Sequence, residues 1–288
     1  MQVPATRRVD HVDTYHGVRV ADPYRWLEDD NAEETKAWVE AQNRATFAHL
    51  ATIPFRPALA GRLEALFDYP KHGLPVRRGS TYFFARNDGL QNQAVWYRQQ
   101  GLHGEPELLL DPNAFSPDGT TKLSVFSVSG DGSLVLYGLS QGGSDWQEYR
   151  VLDVATKRTL DDRVERVKVS GAAWAGRGFF YSTYPMPEPG RELSTKNLNH
   201  RVFYHRLGTG QAEDELVFED PAHPERFHTL EVTEDERYAV LTISDRGQGL
   251  KGNALFFRDL PSGEPAFRPI VGDIGDDSFH LEIGRAHV

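Results

Sequence analysis

Along most of this chain an aromatic residue returns at nearly equal steps: Trp96, Tyr149, Phe203 and Phe256 stand 53, 54 and 53 residues apart. Each falls in the third of several short β-rich runs separated by Gly, Asp and Pro turns, as in Ser80–Phe84, Asn87-Asp88-Gly89 and Ala94–Tyr97. Other positions keep step. The turn ahead of the paired inner strands is Arg78-Gly79, then Gly130-Asp131-Gly132, Gly176-Arg177-Gly178 and Glu234-Asp235-Glu236. Each unit closes on Leu110-Asp111, Leu160-Asp161, Glu219-Asp220 or Gly272-Asp273. Such a unit reads as a four-stranded antiparallel sheet that needs neighbours to bury both faces, and repetition at this period is the mark of a β-propeller. A sandwich would account for short strands but not for the constant interval. Four repeats run from about Pro70 to Gly272, and Asp273 to Leu281 reads as the start of a fifth. The ring reads as unfinished.

Before Tyr69 the pattern reads as helical. Asp22-Pro23 reads as an N-cap followed by proline in the first turn, and Asn31-Ala32-Glu33-Glu34 as a capping box. Trp38, Ala41, Ala45 and Ala48 mark one face of a helix ending before Pro54, and a second helix from about Pro57 carries Leu59, Leu63, Leu66 and Phe67. These helices hold too few large apolar residues to form a core alone, so their faces need a cover from outside the chain.

Composition narrows the function. With 32 Lys+Arg against 42 Asp+Glu the formal net charge is −10, which disfavours a nucleic-acid partner. The chain has no Cys, which removes disulfides, thiolate nucleophiles and Cys-ligated metal sites and points to the cytoplasm. Charged residues interrupt the first 30 positions, so no signal peptide is read there, and no apolar run approaches membrane-span length.

Two motif matches sit in the wrong context. Gly138-Leu139-Ser140-Gln141-Gly142 fits the G-x-S-x-G elbow of hydrolases, but a strand around Tyr149–Leu152 follows it where a helix is required. Gly247-Gln248-Gly249-Leu250-Lys251-Gly252 fits a dinucleotide fingerprint, but it runs into Ala254–Phe257, another strand. The 11 His residues form no H-x-x-x-H or H-E-x-x-H pattern, and Asp161-Asp162 and Asp276-Asp277 read as solvated turn carboxylates. No catalytic, cofactor-binding or metal-ligating residue is assigned within the chain.

Asp22-Pro23-Tyr24-Arg25-Trp26-Leu27-Glu28-Asp29, with Ala41-Gln42-Asn43, resembles the start of the prolyl oligopeptidase family. Gly89–Gln93, Tyr137–Ser140 with Gly143–Trp146, and Glu165–Lys168 leading to Ala173-Trp174 strengthen that likeness, which spans about Arg8 to His280. The resemblance implies a serine peptidase that cuts short peptides after proline. It implies an α/β-hydrolase domain built from an N-terminal helical segment plus a C-terminal part, with a seven-bladed propeller inserted between them that restricts access. The triad would lie in the C-terminal part, so the chain by itself is expected to be inactive. The family places an aromatic just after Glu-Arg-Val-Lys at the rim of the substrate pocket. Here that place is Val169, and Phe227 is a second, weakly matched candidate.

The expectation is therefore mainly β: residues 1–69 as the helical segment of a peptidase domain, 70–281 as blades one to four and the start of a fifth, and 282–288 as a non-native tail. Partners are short proline-containing peptides for an intact monomeric enzyme, with no cofactor, nucleic acid or membrane. The alternatives are a stand-alone propeller that binds a peptide or protein, and a related oligopeptidase of different specificity.

Overall fold

The computed structural model describes residues 3–29, 32–186, 196–245, 247 and 249–281. The expected tail, 282–288, lies outside them. The chain divides into two units, Met1–Asp68 and Tyr69–Val288.

The first unit is not helical throughout. Strands β1 (Val12–Tyr15) and β2 (Val18–Ala21) pair antiparallel. His16 and Gly17 close this hairpin at φ 50° and 80°, the pair of left-handed residues a two-residue turn of matching twist requires. Asp22 does not cap an α-helix. Its Oδ1 accepts the Tyr24 N–H at 3.1 Å and leads into a single 3-10 turn, Arg25–Glu28.

Helix α1 (Glu33–Ala51) has Ala32 at its N-cap position, and Asn31 of the expected capping box lies outside the described residues. The N-terminal segment is tied to α1 through Trp38 Nε1, which donates to Thr6 Oγ1 at 2.9 Å, and through the Arg7–Glu34 ion pair. Helix α2 (Arg56–Phe67) starts with Pro57 in its first turn and buries none of its side chains. Phe55, Leu59, Leu63 and Leu66 are each at least 46% exposed, which leaves an apolar row on the surface of this unit. Among the described residues no helix is long and apolar enough to cross a membrane.

The second unit contains four four-stranded antiparallel meanders. The first is β4 (Val76–Arg78), β5 (Thr81–Asn87), β6 (Val95–Gln100) and β7 (Glu107–Leu110), with β3 (Lys71–His72) also paired to β5. The second is β8 (Thr121–Val128), β9 (Leu134–Gln141), β10 (Gln147–Asp153) and β11 (Arg158–Val167). The third is β12 (Ala173–Ala175), β13 (Gly178–Thr183), β14 (Arg201–Arg206) and β15 (Glu215–Glu219), joined to the second by the Val167–Thr183 pair. The fourth is β16 (Arg226–Val232), β17 (Tyr238–Asp245), β18 (Asn253–Asp259) and β19 (Arg268–Val271). These are propeller blades, and the sheets do not close into a ring.

Residues 273–281, read as the start of a fifth blade, form no strand. A first blade strand is held by its second, and this stretch is instead tied back to the start of β18, where Asn253 Oδ1 accepts the Phe279 N–H at 2.7 Å. Leu160-Asp161 does not close the second blade, because β11 continues to Val167.

Strand alternation sends successive side chains to opposite faces, so the second and third blades each contribute to two cores. In β9, Val135 and Tyr137 join Phe83 between the first and second blades, whereas Leu136 joins Tyr149, Val151 and Phe179 between the second and third. A third core, with Phe180, Val202, Leu241 and Ala254, lies between the third and fourth. Tyr149 and Leu136 are at most 1% exposed, and burial at that level stabilises by about 1.5–3 kcal/mol per side chain.

All four repeat aromatics occupy third strands, but they are not all equivalent. Trp96 stacks on Phe126 of the next blade and Tyr149 packs toward the third, whereas Phe203 and Phe256 face the preceding blade. The 54-residue step explains this, since a one-residue slip turns a strand residue to the other face. The positions in step at 53 residues are Trp96, Tyr149, Val202 and Leu255, and in three blades a bulge between the third and fourth strands directly follows them.

The turns between first and second strands share a conformation rather than an interval: Gly79, Gly132, Gly176 and Glu236 all lie at φ between 55° and 75°, at steps of 53, 44 and 60 residues. In the second blade Asp131 Oδ1 accepts from the Ser133 N–H and the Ser129 hydroxyl. In the fourth, Asp235 Oδ1 accepts from the Thr233 hydroxyl and the Arg237 N–H. These bonds hold both carboxyls below the usual carboxylate range. Glu236 takes the left-handed conformation without being glycine, and its Oε2 accepts the Gly176 N–H of the third blade at 2.8 Å. The first strands and these turns border a cavity of about 480 Å³ that Arg77, Arg78, Trp174, Glu231, Glu234 and Glu236 line.

Candidate functional site

The sites singled out in the sequence lie at the end of the blades where second strands turn into third strands. Ser140 lies one residue before the end of β9, and its Oγ donates to the Ser144 carbonyl at 2.5 Å. Gly142 and Gly143, at φ 57° and 79°, then turn the chain into β10, with Gln147 directly opposite Ser140. A nucleophile elbow needs a helix whose first N–H groups can hold an oxyanion, and a hairpin supplies none. Gly247 and Gly252 belong to the loop between β17 and β18, with Gln248 outside the described residues.

Phe227 and the backbone just before Val169 meet the same histidine. Val169, 38% exposed, follows β11 at φ 52°, a conformation that a β-branched side chain adopts only under strain. The carbonyl of its neighbour Lys168 meets His200 Nε2 at 3.0 Å, and the Phe227 ring in β16 lies edge-on to His200 at 6.0 Å. Tyr184 packs on the other side of His200 at 4.5 Å and meets Trp146 at 6.4 Å. Arg166 and Lys168 place their cations 4.7 and 4.9 Å from the Trp146 ring. The second, third and fourth blades thus build an aromatic and apolar patch with two cations at one edge.

The histidines of this patch are committed to structure. His200 Nδ1 accepts the His228 N–H at 2.9 Å, so its proton sits on Nε2 and is donated to Lys168. His228 Nδ1 in turn donates to the His200 carbonyl at 2.7 Å. Burial pushes the His200 imidazole down to about 4 and lowers His228 as well, which keeps both neutral. The patch can hold an apolar group, and His228 Nε2, which has no hydrogen-bond partner among the described residues, is buried away from solvent.

Asp162 is not a solvated turn carboxylate. It lies within β11, 8% exposed, where Oδ1 accepts the Gly208 N–H at 2.5 Å and stands 3.3 Å from His205 Nε2 of the third blade. His205 Nδ1 meets Asp214 Oδ1 at 2.7 Å, and the Tyr181 hydroxyl donates to Asp214 Oδ2 at 2.7 Å. Burial alone would lower His205, but the two carboxylates outweigh it and raise the imidazole above its usual value. Sequence reasoning missed this network because its partners stand 43 residues apart. Among the described residues no group of His, Asp and Glu is arranged to hold a metal ion.

The profile of the prolyl oligopeptidase N-terminal β-propeller domain matches residues 4–282. A prolyl endopeptidase from Elizabethkingia meningoseptica is 44% identical over 272 residues, covering 94% of this chain and 38% of the relative. Prolyl oligopeptidase A from Galerina marginata is 35% identical over 275 residues, covering 83% of this chain and 37% of the relative. A solved prolyl endopeptidase structure superposes with a TM-score of 0.78 at 34% identity, over 95% of this chain and 40% of that one. Prolyl oligopeptidase B from Galerina marginata, bound to a 25-residue macrocyclization substrate, superposes with a TM-score of 0.77 at 28% identity, over 95% and 42%. The chain thus spans about two-fifths of the length of these relatives. On the match of nearly its whole length to that propeller, the chain belongs to the prolyl oligopeptidase family.

Proposed function

We propose that this chain is the propeller-bearing part of a serine peptidase that hydrolyses short peptides after proline, and that the propeller restricts which substrates reach the reaction centre. The observation that carries this reading is the match of residues 4–282 to the family's propeller, together with relatives that are prolyl endopeptidases. Two further features support it. The exposed apolar row of Leu59, Leu63 and Leu66 on α2 is what a segment completing another domain would present. The patch of Trp146, Tyr184, His200 and Phe227 beside Val169 joins side chains of three blades around a histidine held neutral, which suits a contributor to a pocket rim.

On this reading the chain alone has no triad and turns over nothing. The test is to incubate the purified 288-residue chain with a chromogenic glycyl-prolyl reporter and, separately, with a fluorophosphonate probe for activated serine. Neither hydrolysis nor labelling is expected. Hydrolysis that the probe abolishes, or labelling at Ser140, would overturn it.

A further inference from the structure

The His205 network has a counterpart one repeat later that does not close. Adding 53 to Asp162, His205 and Asp214 gives Glu215, Arg258 and Phe267, all in the same places of the next blade pair. Arg258 lies opposite Ala239, which is fully buried, so its side chain starts on the face that packs against the third blade. Where His205 meets the Asp214 carboxylate, Arg258 lies over the Phe267 ring at 5.1 Å. Where His205 meets Asp162, Arg258 faces Glu215 without forming an ion pair. Among the described residues the side chains of Arg258 and Glu215 make no hydrogen bond. Burial holds the guanidinium below the ordinary arginine range, and Glu215 offsets only part of that.

Between the two open charges lies a groove of about 390 Å³, inside the range of about 300–1,000 Å³ that small ligands fill. Phe180, Tyr204, Val217, Leu260 and Pro261 give it apolar walls. The Tyr204 hydroxyl donates to the Ala175 carbonyl at 2.8 Å, and Glu236, a second carboxylate on the Glu215 side of the charge balance, is anchored through Oε2 to the Gly176 N–H. A cation and an anion left apart across an apolar groove complement a molecule with the opposite charges at its two ends.

We propose that this groove binds a zwitterionic dipeptide with an apolar side chain: its carboxylate on Arg258, its ammonium on Glu215, and its side chain against Phe180 and Tyr204. The proposal stands apart from the peptidase reading, because it uses only residues between the third and fourth blades.

The test is a calorimetric or NMR titration of the 288-residue chain with glycyl-phenylalanine, its C-terminal amide and its N-acetyl form. Saturable binding is expected, weakened about tenfold by amidation or by R258Q, since a charge-assisted hydrogen bond is lost. Acetylation or E215Q should weaken it about threefold, as for a partly exposed ion pair. No saturable binding would overturn the proposal and would mean that Arg258 and Glu215 serve each other only. Binding equal for the dipeptide and its amide would also overturn it. The ligand series on the unaltered chain decides the matter even if R258Q fails to fold.

Discussion

One position in the repeat has opposite fates in adjacent blades. His205 sits fully buried between Asp162 and Asp214, with Tyr181 and the Gly208 N–H completing the network, whereas Arg258 faces one distant carboxylate and an aromatic ring. The backbone repeat fixes where each side chain stands, but the residue types at three places decide whether the site is sealed or open. A buried cation flanked by carboxylates welds two blades, whereas a half-buried cation without a bonded partner leaves room for something else.

The largest effect should come from breaking the sealed site. H205A would leave two carboxylates buried without their cation, and a loss of about 3–5 kcal/mol in chemical denaturation is expected. A loss below about 1 kcal/mol would mean that the network does not hold the blades together.

A smaller effect is the pH dependence. The folded-state value of His205 is raised, so its contribution is fully present below the ordinary histidine value of about 6.5 and is lost as pH rises through the folded value. His200 and His228 are lowered, so theirs runs the other way: stability falls as pH drops from about 6.5 toward about 4. Melting the chain across pH 4–9 should therefore show loss on both sides, and H205N should remove the alkaline loss while leaving the acid one.

Next comes D131A, which removes the acceptor in the turn between β8 and β9 and should cost about 1 kcal/mol, the usual worth of such a local cap. The smallest effect is expected at the open site. R258M should fall within about 0.5 kcal/mol of the unaltered chain, because no bonded partner is lost. A large loss there would show that Arg258 is structural, as His205 is.

Much of the fold was legible because the signal was periodic. Third strands, inner turns and helices α1 and α2 followed from aromatic spacing, Gly and Asp placement and apolar stripes. The hairpin of β1 and β2 was missed, since His16-Gly17 is a weak variant of the usual turn pair and its strands bury almost nothing. The facing of Phe203 and Phe256 was missed because a single residue of drift is invisible in an interval yet inverts a strand. Asp162 was misread since its partners come from another blade, and local pattern carries no record of them. At the candidate site, only the family resemblance marked Val169 and Phe227. That His200 joins them depends on the packing of three blades.

The most direct test joins residues 1–281 of this chain to the C-terminal portion of the Elizabethkingia meningoseptica prolyl endopeptidase in place of that enzyme's own N-terminal region. The expected result is hydrolysis of the prolyl reporter, abolished by a serine-directed inhibitor. A chimera that melts cooperatively and hydrolyses nothing would contradict the assignment of this chain to the propeller-bearing part of a working prolyl peptidase.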